Sequence, residues 1–71
     1  MAVYRPLAMC LRLKALREGG GMSQQDVAER LHMSQAAYSR MESGETEMTV
    51  GRLMRIASLY DVDVALLLKD L

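Results

Sequence analysis

Apolar residues along this chain recur at intervals of three and four rather than two, the period of helices and not of strands. Met9, Leu13 and Leu16 form one stripe, with Arg12, Lys14 and Arg17 around the rest of the same helix. Pro6 suits its first turn, where a missing N–H costs nothing. Gly19-Gly20-Gly21 ends it, because glycine favours a C-terminal cap and weakens a helix interior. Ser23 then caps a second helix, with Asp26 three residues on as a short-armed capping box, and Val27, Ala28 and Leu31 face inward. After only His32 and Met33, Ser34 caps a third helix that runs to about Ser43 and stops at Gly44. A polar connection over 45–48 leads to Thr49, the cap of a fourth helix with Val50, Leu53, Ala57 and Tyr60 inward. Asp61 and Val62 break out, and Asp63 caps a last short helix whose inner residues are Val64, Leu67 and Leu68. The pattern predicts five short helices and no strand, an all-α fold in one domain over 1–71. The second and third helices, about 23–43, make a helix-turn-helix; the fourth and fifth occupy about 49–70.

Composition narrows the function classes. Nine basic residues balance nine acidic ones, so this is not a chain that coats nucleic acid by charge alone. Half of the residues are apolar (51%), enough for a core and too many for a disordered chain. The single Cys excludes an intrachain disulfide and suits a reducing cytoplasm; Cys10 reads as a packed thiol rather than a redox sensor. No apolar stretch approaches the ~20 residues that span a bilayer, and the charged N-terminal residues argue against a signal peptide, so no membrane role is expected. One His and one Cys leave no nucleophile–base pair and no metal cluster. The triple glycine follows a helix, not a strand, so it is no phosphate loop. An enzyme is not expected, nor a cofactor or metal.

The third helix has two faces. Ala37, Tyr38 and Met41 point into the core, while Ala36, Ser39, Arg40 and Ser43 recur at three, four and seven on the other side, beside Gln35. That outer face is small or polar, with one long cation. Such a face can enter a major groove, where an amide fork pairs with adenine and a guanidinium with guanine. An ordinary solvated helix face would read the same way from spacing alone.

The stretch from Leu13 to Leu68 resembles the lambda-repressor-like helix-turn-helix domains of the XRE family. The matching residues are Leu13-Lys14, Leu16-Arg17, Met22-Ser23-Gln24, Val27-Ala28, Met33-Ser34-Gln35, Tyr38, Met41-Glu42-Ser43-Gly44, Leu53, Ile56-Ala57 and Val62-Asp63. The resemblance implies a five-helix DNA-binding domain acting on double-stranded DNA. It implies that Gln24 meets a backbone phosphate, that Gln35, Ala36 and Arg40 lie where bases are read, and that Ser34 is among the DNA-binding positions. Ser39 and Ser43 fall at backbone or neighbouring-base contacts, and Arg17 with Glu42 at an ion pair that orients the third helix. It further implies a homodimer through the chain end, where Leu59, Leu66 and Leu71 are surplus to the inward stripes, as are Leu11, Met54 and Ala65.

Departures qualify that expectation. Glu45 and Glu47 stand where the family carries basic residues after the third helix, and His32 replaces a turn glycine. Residues 1–44 hold six basic and four acidic groups and residues 45–71 three and five, so the positive half of the chain is the one that contains the helix-turn-helix. Two readings follow. One is a dimeric transcriptional regulator, a repressor type, that reads a near-palindromic operator and has no ligand-sensing domain of its own. The other is an antitoxin-like or accessory module whose main partner is a protein, a toxin or another regulator.

Overall fold

The computed structural model describes residues 2–4 and 7–69. Five helices carry the fold: α1 (Leu7–Gly19), α2 (Gln24–Arg30), α3 (Gln35–Glu42), α4 (Val50–Leu59) and α5 (Val64–Leu68). Their apolar stripes meet in one core. Leu13 of α1, Val27 of α2, Tyr38 of α3, Ile56 of α4 and Leu67 of α5 are all fully buried in it. Burying a Leu, Ile or Val side chain contributes ~1.5–3 kcal/mol, so each short helix is held by packing rather than by its own propensity.

The ends of the helices are written locally. Ser23, Ser34, Thr49 and Asp63 each sit in extended backbone and accept a hydrogen bond from the first turn. At Ser23 the capping box is complete: Asp26 N–H donates to Oγ at 3.0 Å, and Ser23 N–H donates to Asp26 Oδ2 at 2.9 Å. The first four helices finish alike, in a left-handed residue at Gly21 (φ 70), His32 (φ 58), Gly44 (φ 85) and Asp61 (φ 53). In each case that residue and the next one donate their N–H groups back to the last turn, as Met33 does to the Ala28 carbonyl at 2.9 Å and Val62 to Ala57 at 2.9 Å. His32 thus occupies a true left-handed position between α2 and α3 and keeps the turn tight.

Strands are the main correction. Ala2–Tyr4 (β1) and Met48–Thr49 (β2) pair antiparallel, with Ala2 opposite Thr49 and Tyr4 opposite Met48. Segments of three and two residues are too short to display a period of two, and their pairing links distant parts of the chain. Met48, expected in a polar connection, is buried. Val50, expected inside, is 47% exposed because the first residue of α4 still faces water. Ala37 and Tyr60 are only half-buried, Tyr60 being the C-cap of α4. Pro6, expected in the first turn of α1, lies outside the described residues.

The fifth helix has no basic residue in its last turn. Arg12 of α1 supplies the cation instead: its Nη1 donates to the carbonyls of Leu66, Leu67 and Lys69 at 3.2, 3.1 and 2.7 Å. A positive group over a helix C-terminus satisfies carbonyls that the helix itself cannot. This contact ties the end of α5 to α1.

Candidate nucleic-acid interface

The tip of α3 is open to solvent. Ser34, Gln35 and Ala36 are all exposed there, as is Arg40 one turn further on. Ser34 Oγ accepts the Ala37 N–H at 3.0 Å, which leaves its hydroxyl proton free to donate outward. Gln35 and Arg40 project amide and guanidinium donors from a helix whose other outer residues are small. The sequence therefore yields a protruding helix end able to approach another surface closely.

On one flank of α3, Gln24, Ser39, Glu42 and Ser43 line a shallow pocket with Lys14. Gln24 opens α2, and its Nε2 donates to Glu42 Oε1 at 3.3 Å, so the amide is held at the pocket wall. Ser39 is half-buried in the same place. Ser43 is the C-cap of α3, and its hydroxyl is directed to the Arg40 carbonyl and the Glu45 carboxylate, both at 3.1 Å. That hydroxyl is engaged within the chain, unlike the one at Ser34. On the opposite flank, Arg40 lines a groove with Met33, Ala37, Glu47 and Arg52. Lys14 and Arg52 were not singled out from sequence. Each is a cation on a neighbouring helix, and only the packing brings it to the edge of α3.

Beneath this surface lies a buried polar network. Arg17 Nε and Nη2 donate to Glu42 Oε2 and Oε1 at 2.9 and 3.0 Å, a two-pronged ion pair with side chains only 12% and 5% exposed. Arg17 Nη1 also donates to the Met22 carbonyl at 3.1 Å, ahead of α2. Burial alone would raise the Glu42 carboxyl pKa; hydrogen bonds with Arg17, Tyr38 and Gln24 outweigh it and hold the group below its ordinary 4.5. Burial, and then its bond to Glu42, pushes the Tyr38 hydroxyl pKa up. The network ties α1, the start of α2 and the end of α3 together, fixing the angle at which α3 protrudes.

The surplus apolar residues divide. Leu66 on α5 is 54% exposed, and Leu11 and Met54 are exposed to a similar degree. Leu59 instead packs partly against the core, so it offers less surface than its spacing implied. Leu71 lies outside the described residues. Among the described residues no helix is long and apolar enough to cross a membrane, and no group of three or more His, Cys, Asp or Glu could hold a metal ion.

Comparison with known proteins agrees with this architecture. The family model HTH_3, described as helix-turn-helix, matches residues 13–67. No curated protein matches the chain. Among solved structures, the clp gene regulator ClgR from C. glutamicum superposes with a TM-score of 0.78 at 24% identity, over 86% of this chain and 79% of that one. At that identity the likeness speaks for the fold.

Proposed function

The chain belongs to the helix-turn-helix family HTH_3, a family of DNA-binding domains and not of enzymes, and on that premise we propose a sequence-specific transcriptional regulator. It reads double-stranded DNA as a cytoplasmic homodimer, with α3 of each copy in successive major grooves and half-site centres ~34 Å apart. The observation that carries this reading is the exposed tip of α3, with Ser34, Gln35, Ala36 and Arg40 standing clear of a scaffold locked by Arg17 and Glu42. Gln35 and Arg40 are assigned to base edges, Ala36 to close approach, and Gln24, Ser34, Ser39 and Ser43 to the sugar–phosphate backbone. Likeness to a structure titled a gene regulator supports the same direction. Leu59, Leu66 and Leu71 are assigned to the dimer contact, and repression follows from occupancy of a promoter.

The test is a binding titration on DNA from the region upstream of the protein's own gene, with a Gln35→Ala/Arg40→Ala double variant alongside. Saturable binding, reduced at least a hundredfold in the variant, is the expected result, since each bidentate pair discriminates by ~1–3 kcal/mol. Equal binding by both proteins overturns the assignment of α3. A second reading, an antitoxin-like or accessory module bound mainly to another protein, draws support from Leu11, Met54 and Leu66, which leave apolar surface uncovered. Under that reading no duplex is bound even at low salt.

A further inference from the structure

The loop after α3 carries Glu45 and Glu47, where phosphate-gripping cations were expected, yet the fold gathers cations a short way off. The end of α2, the left-handed turn and the outer side of α4 enclose two adjoining clefts. One is lined by His32, Thr49, Gly51, Arg52 and Arg55. Arg30, His32 and Arg55 line the other, where Ser58 and Leu59 complete the wall. No acidic side chain lines either one. Arg52 Nη1 rests against Met33 Sδ at 3.0 Å, and a thioether positions the guanidinium without neutralising it. Nothing stands within 4 Å of where a Cβ on Gly51 would be, so the cleft floor is open to close approach.

We propose that this cleft is a second grip on the DNA backbone, in which Arg30, His32, Arg52 and Arg55 hold phosphates beyond those beside α3. The proposal rests on the DNA-binding reading above and deepens it. Duplex phosphate is the favoured occupant because of continuity: Arg52 lines both this cleft and the groove that contains Arg40 and Ala37 of α3. A strip of cations therefore runs from Arg40, in a groove that Glu47 also lines, through Arg52 and Arg55 around the turn to Arg30. The grip that the acidic loop cannot provide is supplied from α2 and α4, sequence segments the loop itself does not include. Binding by this strip carries no base information, so it adds affinity equally on every duplex.

The experiment is the salt dependence of binding to an upstream-region duplex and to an unrelated duplex of equal length. It compares the unaltered chain, Arg52→Gln/Arg55→Gln and Arg30→Gln/Arg55→Gln; the last pair leaves the Met33 contact intact. Each phosphate contact contributes about 0.9 to the slope of log K against log salt. The expected result is a slope shallower by about two for each bound copy, hence by about four for the homodimer, in each double variant, with the ratio of affinities for the two duplexes kept. An unchanged slope in both variants, with the unaltered chain still binding, overturns the second grip and leaves α3 reading DNA alone; the cleft then suits an acidic protein surface. Failure of the unaltered chain to bind either duplex at low salt overturns both readings together.

Discussion

Arg17 and Glu42 exchange two hydrogen bonds in a place where neither meets much water. Removing one partner strands the other, and an unpaired buried charge costs ~3–5 kcal/mol. Glu42→Gln is therefore expected to lower the unfolding free energy by about 3 kcal/mol in urea titrations at pH 7. Because the folded carboxyl titrates below its ordinary 4.5, the folded state binds fewer protons than the unfolded one as the pH falls past that value. The stabilisation is complete above pH 4.5 and is lost as pH drops through the lowered folded pKa. Urea midpoints measured from pH 6 to 3 should fall more steeply for the unaltered chain than for Glu42→Gln. Parallel curves would mean that Glu42 contributes nothing to acid sensitivity. At this scale sequence reasoning reached the pair only through resemblance: 25 positions apart, the two residues share no local pattern. The Arg12 contact with the end of α5 had a signal that went unused, since a helix with no basic residue in its last turn leaves carbonyls for a distant cation.

Four helices close by the same device, which is why their positions were readable so nearly. Caps and left-handed stops are decided by a residue and its neighbours within about four positions, and Ser, Thr, Asp and Gly announce them. The two-stranded ribbon obeys no such local rule, and the exposure of Val50 depends on which way the first turn of α4 happens to face. The stops are not equal in quality. Gly21 and Gly44 adopt a positive φ freely, whereas His32 and Asp61 hold theirs against a Cβ that disfavours it by ~1–2 kcal/mol, somewhat less for aspartate. Asp61→Gly should therefore raise the thermal midpoint, by the equivalent of about 1 kcal/mol, without moving α4 or α5. A lowered midpoint would show that the Asp61 side chain does more at that turn than end a helix. His32 is the more constrained of the two, because it also borders the basic cleft, and a glycine there would exchange an imidazole for backbone ease.

At the scale of the whole molecule, 71 residues leave little margin between folded and unfolded states, and exposed Leu11, Met54 and Leu66 represent apolar area not yet used. A second copy covering Leu66 adds stability by mass action, so the melting temperature of a homodimer rises with protein concentration. The expected outcome is an increase of several degrees between 1 and 100 μM, abolished by Leu66→Lys, with sedimentation changing from dimer to monomer in step. A melting temperature independent of concentration and of that substitution places the dimer contact elsewhere or nowhere. Charge has the same whole-molecule character. The chain is neutral in sum, and folding brings Arg52 and Arg55 from its acidic half beside Arg40 and Arg30. A count along the sequence separates cations that the fold unites, and for that reason the cleft beside α4 was not legible there while the tip of α3 was.

Cys10 is the chain's single thiol, and it sits buried against Gly44, where a Cβ would come within 3.2 Å of its Sγ. The sulfur is thus sealed at the seam between α1 and the end of α3. A small alkylating reagent reaches it only when that seam parts, so its reaction rate counts openings of the native molecule as a clock counts ticks. No foreign label is needed, and nothing is attached to the outward face of α3. Whatever clamps that helix from outside slows the clock, and the thiol reports the grip from within the seam.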